Sequence, residues 1–486
     1  MIDPRYQPAP TTPELGDAFF DVVEPAQFPR HTPRFRNQRW AERLGLGSLT
    51  DDEWADHFGR FAPLPGNLPQ PLALRYHGYQ FRSYNPYLGD GRGFLFAQLR
   101  DPVDGRLLDL GTKGSGRTPW SRTADGRLTL KGGVREILAT EMLEALGVYT
   151  SKTFSLFETG ESLMRGDEPS PTRSSVLVRL SHSHVRFGSF ERQAHEGSTA
   201  GLARLCDFTI EHYFPELAQG QTGSGASAGP TQLFTEICNR SAALCASWMV
   251  AGFVHGVLNT DNMNVTGESF DYGPWRFLPH LSPAFTAAYF DHSGLYAYGR
   301  QPEAVRWNLE RLADALAPIC GKSQLARALV EFEVRYLSER NARFLARLGV
   351  ETRDPVADSL LCSRALCFME QSKVPFDRFF FDWYGGESSM ARALAGPAAA
   401  AYVGEPFTAF RHALAGRAPT RPAALADAYF QGPGPVTMHI DEVERVWAAI
   451  AERDDWGPLA EKLAAVRRLG RVLGLAAPVN AEPATL

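Results

Sequence analysis

Apolar and polar positions follow different periods in the two halves of the chain. Phe94 to Arg100 is strand-like in composition, Asp101-Pro102-Val103-Asp104-Gly105 is a turn, and Arg106 to Lys113 reads as the returning strand. A third strand is expected over Ser174–Leu180, ending beside Arg179. The first clear helix runs from Val134 to Leu146. Val134, Ile137, Leu138, Met142 and Leu146 recur at helical spacing, and Gly147 stands at the C-cap. Helical patterns occupy about 196 to 217, a buried helix runs from about Thr231 onward, and Gln301–Leu312 reads as a helix with Pro302 near its start. Residues 322 to 470 are mostly helical, broken near 385 and over 413 to 435. Residues 1 to about 35 read as an extended, proline-spaced arm, and Gln219–Pro230, rich in Gly, Ser and Ala, as a mobile loop.

These patterns predict an α+β fold in two lobes: a mixed α/β N-terminal lobe and a larger, mainly helical C-terminal lobe. The divisions fall at 1–65 (arm and short helices), 66–195 (N-lobe with a nucleotide loop), 196–320 (C-lobe core with a catalytic and metal-binding loop) and 321–486 (helical extension).

Composition narrows the classes. The 486 residues carry a formal net charge of −5, so no general basic field points to nucleic acid or an anionic membrane. Ser241–Asn259 lacks charges but contains Ser, Gly, His and Asn, which fits a helix buried in protein better than a membrane span. The six cysteines form no CxxC pair and match no common zinc spacing, so they read as free thiols of a cytoplasmic protein.

Candidate chemistry concentrates in His255-Gly256-Val257-Leu258-Asn259-Thr260-Asp261-Asn262, followed by Asp271-Tyr272-Gly273. Asp and Asn oxygens suit Mg²⁺, which keeps waters and leans on phosphate oxygens. Upstream, Leu88-Gly89-Asp90-Gly91-Arg92-Gly93 precedes a hairpin that ends in Lys113. Glycine turns let backbone amides approach phosphates, and a glycine turn, a hairpin and a lysine in that order suit a nucleotide cradle of the protein-kinase type. Glu136 near the start of the first clear helix is a partner for Lys113, with Glu141 and Glu144 as competitors. Arg179 and Arg186 flank an apolar strand, where a pair of guanidinium groups can grip phosphates. His182 and His184 lack a third ligand and read as structural.

These segments resemble the selenoprotein O (YdiU) family. The match includes Lys113-Gly114-Ser115-Gly116-Arg117-Thr118-Pro119, Asp125-Gly126-Arg127, Arg135-Glu136, Val178-Arg179-Leu180, Ser183 to Gly188, His255 to Met263 and Asp271-Tyr272-Gly273-Pro274, with Gln301-Pro302 and Trp307-Asn308-Leu309. The resemblance implies a protein-kinase-like (pseudokinase) fold binding ATP in a flipped pose, with Mg²⁺ (or Mn²⁺), and transferring AMP to hydroxyl side chains of protein substrates. It implies nucleotide contacts from Gly89, Gly91, Arg92, Lys113, Asp125, Gly126, Glu136, Arg179, Arg186 and Asp271, metal ligation by Asn262 and Asp271, and Asp261 as proton acceptor. Neither a nucleic acid nor a membrane is an implied partner.

The chain departs from the family pattern at Gly78-Tyr79-Gln80-Phe81-Arg82, where Gly-His-Gln-Phe-Gly is usual, and at Lys131-Gly132-Gly133. It has no cysteine after Cys367, so it lacks the C-terminal cysteine or selenocysteine motif of many relatives. Alternatives to AMP transfer are a kinase-like phosphotransferase, a UTP-using nucleotidyltransferase and a non-catalytic nucleotide-binding scaffold.

Overall fold

The computed structural model describes residues 3–166, 168–219 and 229–475. The expected loop over Gln219–Pro230 lies almost wholly outside them. Short strands β1 (Phe20–Val22) and β2 (Thr32–Arg36) precede helices α1 (Gln38–Arg43) and α2 (Asp51–Phe58). Strand β3 (Leu72–Leu74), the hairpin β4 (Gly78–Gln80) and β5 (Ser83–Asn85), and the expected pair β6 (Leu95–Arg100) and β7 (Leu107–Lys113) follow. Then come β8 (Leu128–Thr129), α3 (Leu130–Ala145), β9 (Lys152–Leu163) and β10 (Thr172–Ser181).

The main sheet runs β1-β3-β6-β7-β10-β9-β2, with β8 beside β10. The proline-spaced segment before residue 37 therefore supplies both edges. Proline lacks an N–H for the ladder, so Pro33 is tolerated in an edge strand, here beside a register shift between Pro33 and Phe35.

Sheet register fixes the polar face. Leu177 pairs with Lys113 and Arg179 with Gly111 in antiparallel β10 and β7. Directly opposed residues share a face and side chains alternate with period two, so Lys113 and Arg179 project from the same face. Helix α3 lies against that sheet. It starts four residues before the expected Val134, with Thr129 accepting from the Gly132 N–H as its N-cap. Gly132 and Gly133 look like helix breakers, but a Cβ at Gly133 would come within 2.4 Å of Leu156 Cδ1. The glycines permit the close approach that brings Glu136 down to the sheet.

The second half contains α4 (Phe187–His195), α5 (Thr199–Tyr213), α6 (Pro215–Gln219) and α7 (Pro230–Ala251), which ends at left-handed Gly252. The two-stranded pair β11 (Phe253–Val254) and β12 (Arg276–Phe277) brackets the polar segment 255–275. Helices α8 (Gln301–Leu316), α9 (Lys322–Leu348), α10 (Pro355–Ser372), α11 (Phe376–Trp383), α12 (Met390–Ala395), α13 (Gly404–Leu414), α14 (Ile440–Arg453) and α15 (Gly457–Leu473) complete the fold.

One apolar core joins α3, α7 and α8 through Ile137, Leu138, Met142, Trp248 and Leu309; a second lies behind the sheet around Trp54, Phe58 and Phe154; a third fills α10 to α13 around Phe368, Phe379 and Phe410. Helix α15 returns to α3, where Arg467 pairs with Glu141 at 2.7 Å. Glu141 also faces Arg39, and Glu144 faces Arg39 and Lys152, so these two glutamates are committed away from Lys113. The uncharged run is accounted for by buried α7 and β11, and among the described residues no helix is long and apolar enough to cross a membrane.

Candidate active site

Two cations and two carboxylates form a closed ring where the two halves meet. Lys113 Nζ pairs with Glu136 Oε1 and lies 2.9 Å from Asp271 Oδ1. Arg179 reaches the same two oxygens at 3.2 and 3.3 Å. All four side chains are at least partly buried, and Glu136 and Lys113 are nearly inaccessible. Burial alone would raise the Asp271 pKa, but Lys113, Arg179, Arg92 and Arg186 hold it well below the usual carboxylate range. Asp271 takes a left-handed backbone (φ 62°), a conformation that Asp tolerates better than most side chains. Phe270, just before it, lies beneath Arg179 and Arg186, with guanidinium carbons 5.5 and 4.9 Å from the ring centre. Arg135, next to Glu136 on α3, donates to Gly273 O and Trp275 O, which ties the helix to the chain beyond Asp271.

Arg186 connects this ring to Asp261. Its Nη1 donates to Asp261 O at 3.0 Å and its Nη2 to Asp90 Oδ1 at 3.2 Å, while Tyr76 stacks on it at 4.4 Å. The Asp261 carboxyl is in a different setting. Burial pushes it up to about 6, opposed by Arg186 and reinforced by the charge of Asp271. Its Oδ1 has no hydrogen-bond partner. Thr260 Oγ1 donates to Glu191 Oε2 and accepts from Tyr79 N, both at 2.8 Å. Burial pushes Glu191 on α4 up to about 8.

The loop itself is buried, so its backbone groups require partners. Gln301 Nε2 donates to Phe253 O, Gln301 Oε1 accepts from His255 N, and Asn308 Nδ2 donates to Leu258 O. Helix α8 thus carries the loop from below. His255 packs against Trp248 and Tyr272, with Nε2 3.0 Å from Phe270 O.

The glycine turn is built around Trp120. A Cβ at Gly89 would lie 2.4 Å from Trp120 Cγ, and one at Gly91 2.8 Å from Trp120 O. Arg92 O accepts from Gly114 N at 2.7 Å, which links the turn to the residue after Lys113.

Of the residues singled out from sequence, Lys113, Glu136, Arg179, Arg186, Asp261 and Asp271 come together, and Arg92 is close enough to act on Asp271. Asn262 follows Asp261 directly and donates its amide Nδ2 to Val257 O at 3.0 Å. Asp125 stands apart from the ring. It pairs with Arg165 at 2.8 Å and lines an open cleft of about 680 Å³ with Arg117, Arg127 and Glu161. Gly126 packs on Gly116, whose N–H donates to Gly126 O. His182 and His184 are structural: His182 Nδ1 meets Tyr149 Oη at 2.6 Å and the His184 N–H donates to Asp109. Asp90, Tyr76, Thr260 and Glu191 have no role assigned from sequence, although Asp90 stands between Gly89 and Gly91 and Thr260 directly precedes Asp261; no motif marks Tyr76 or Glu191.

Glu136 Oε2, Arg179 Nε, Arg186 Nε, Asp261 Oδ1 and Glu191 Oε1 are all buried without a hydrogen-bond partner. Such atoms occur elsewhere in the molecule too, so these five show only that the cluster keeps unused hydrogen-bonding capacity.

Comparison with known proteins identifies a family. Residues 3–467 match the family described as "Protein adenylyltransferase SelO". The chain is 44% identical to the protein nucleotidyltransferase YdiU of Gloeobacter violaceus, over 96% of each chain. It is also 44% identical to that of Synechocystis sp., over 95% of this chain and 98% of the relative. With the YdiU of Vibrio cholerae it shares 36% identity over 75% of this chain and 72% of the relative. The chain belongs to the SelO family of protein adenylyltransferases, and its activity class is protein nucleotidyl transfer.

Proposed function

We propose that the protein transfers AMP from ATP to Ser, Thr or Tyr hydroxyls of protein substrates, using a kinase-like two-lobed fold that holds ATP in a flipped pose. The observation that carries this reading is the division of labour between two aspartates ten positions apart. Asp271 is held ionised among cations, whereas Asp261 sits at the edge of that field with a raised pKa and an unpaired oxygen.

The acceptor hydroxyl oxygen attacks the α-phosphorus. Its bond forms as the bond from phosphorus to the α,β-bridging oxygen breaks, and pyrophosphate leaves with the electron pair. The hydroxyl proton passes to the Asp261 carboxylate. A base whose pKa lies near the working pH is suited to that transfer. Lys113, Arg179 and Arg186 supply positive charge toward the phosphates, and Glu136 keeps Lys113 and Arg179 in place. Arg92, Gly89 and Gly91 extend the contact along the glycine turn. Asp125 and Gly126 stand apart from the ring and are assigned to the nucleotide by the family resemblance alone.

Asp271 and Asn262 would hold Mg²⁺. The donor set fits: an ionised carboxylate and an amide oxygen are hard ligands, and Mg²⁺ is commonly bound by one or two protein groups plus substrate phosphates. Bound there, the ion would screen the charge of the departing pyrophosphate.

The test is to incubate purified protein and candidate substrate proteins with α-³²P-ATP and, separately, with γ-³²P-ATP, and then with the α-labelled forms of the other nucleotides. Protein label from the α position alone is expected. Label from the γ position alone would overturn the reading in favour of a kinase, and label from UTP in preference to ATP would change the donor.

A further inference from the structure

The hairpin β4–β5 sits directly on the catalytic loop. Its Tyr79 N–H donates to Thr260 Oγ1 at 2.8 Å and its Phe81 N–H to Asn259 Oδ1 at 3.1 Å. Asn259 Oδ1 also accepts from Tyr296 Oη at 2.9 Å. At the start of the hairpin, a Cβ on Gly78 would meet Asp261 Oδ1 at 3.2 Å.

Gln80 pairs with Ser83, so Phe81 and Arg82 form a two-residue turn with φ of 49° and 64°. Such a turn normally takes Asn-Gly, because both residues are left-handed. A bulky Phe-Arg pair there is strained, and strain of this kind persists where the surroundings hold it and function uses it. The hold is visible: Arg82 pairs with Glu303 at 3.0 Å and Tyr79 meets Trp307 edge-on at 5.3 Å, both on α8.

The turn carries Phe81 into an aromatic rim. Its ring lies 5.0 Å from Tyr296 and 5.9 Å from Phe290, which in turn meets Tyr289 at 5.1 Å. Phe81, Phe290 and Tyr289 are 37%, 42% and 76% exposed. Three large rings facing water beside a catalytic loop are an interaction surface rather than core.

The geometry points to the rim of Phe81, Phe290 and Tyr289 as the docking site for an extended segment of the protein substrate, one that carries an aromatic or branched aliphatic side chain about two residues from the acceptor hydroxyl. This rests on the proposed role of Asp261. The rim is continuous with the acceptor side of the site, where the family's reaction requires a protein chain. It is anchored at Asn259, two residues from the base across the 3-10 turn Thr260–Asn262, so the anchor lies within about 7 Å of Asp261, the most that two residues can span, and two residues of an extended strand cover that reach.

The test uses synthetic 13-residue peptides with one central Ser, Thr or Tyr. Every flanking position within three residues is scanned with Phe, Leu, Ser and Glu, and α-³²P-ATP is the donor. Wild type should favour Phe or Leu over Ser at one flanking position by about tenfold in kcat/KM, as expected for filling an apolar subsite. Phe290→Ser, Tyr289→Ser and Phe81→Ala should bring that ratio toward one, and Phe290→Leu should restore it. The first two replace exposed side chains, so folding is not at stake in them. A flat flanking preference in wild type, or a preference unchanged in Phe290→Ser and Tyr289→Ser, would overturn the proposal while leaving AMP transfer standing. Absence of α-label on every peptide and protein would instead sink the functional reading, and the docking site with it. A dimer in light scattering that Phe290→Ser dissolves, together with a flat preference, would assign the rim to a second copy of the chain and also overturn the proposal.

Discussion

Asp261 and Asp271 belong to one loop and one residue type, yet they have opposite electrostatic surroundings. Asp271 shares a ring with Lys113 and Arg179 and feels Arg92 and Arg186 as well. Asp261 is opposed first by Arg186, which directs its hydrogen bonds to the Asp261 main-chain oxygen and to Asp90, and then by its own backbone N–H and by Arg122. Burial acts on both carboxyls in the same direction; the number of nearby cations separates them. When two carboxyls are pushed apart in this way, one stays ionised to organise charge and the other can exchange a proton near neutral pH.

The largest effect should come from removing the charge at Asp271. Asp271→Asn keeps the side-chain volume but leaves Lys113 and Arg179 facing only Glu136. AMP transfer is expected to fall about 10³-fold, and the stimulation by added Mg²⁺ should disappear. Label transfer from α-³²P-ATP measured over a magnesium titration checks both. A variant that still responds to magnesium like wild type would remove Asp271 from the metal site and dissolve the contrast between the two aspartates.

Asp261→Asn should cost less, about 10²-fold to 10³-fold, and should sharpen the comparison through pH. Below about 6 the Asp261 carboxyl holds its proton and cannot accept another. Wild-type kcat/KM should therefore rise with pH through about 6 and then level off. The Asn variant has no such group and should lose that rise. An acidic limb that survives in Asp261→Asn would assign the base to another residue.

The proposed phosphate end is far more legible in the sequence than the surroundings of the proposed base, for physical reasons. Lys113 ends an apolar strand and Glu136 lies on a helix with apolar residues at helical spacing, so each has a periodic context that places it. Asp271 and Asn262 stand in a dense polar segment after a long uncharged run. Glu191 and Thr260, by contrast, are single polar residues whose meaning depends on α4 and the loop being packed together, and no periodicity encodes that contact. Asp90 lies between the two glycines of the turn, where the direct demand on Gly89 and Gly91 is room for Trp120. The edge strands β1 and β2 are short and proline-spaced, which is how protected sheet edges look and also how an extended arm looks. The early start of α3 was hidden by Gly132-Gly133, where a tertiary contact with Leu156 outweighs helix propensity.

The smallest effect on catalysis and the finest probe of the comparison is Glu191→Gln. Glu191 is buried, its carboxyl is pushed up to about 8 by burial, opposed by the Thr260 hydrogen bond and reinforced by the charge of Asp261. Between its ordinary value of 4.5 and about 8, the folded protein holds a proton that the unfolded chain has released. Stability must then fall as pH rises through this window, by at most about 1.4 kcal/mol per unit. Glutamine keeps an oxygen for the Thr260 hydroxyl and has no charge to desolvate. The variant should melt close to wild type at pH 5 and above it at pH 8, with a gap of about 2 °C or more, while AMP transfer at pH 6 changes by less than about threefold. Parallel melting curves at both pH values would mean that Glu191 is ionised in the folded protein, and that the base end of the site is more strongly charged than the contrast with Asp271 requires.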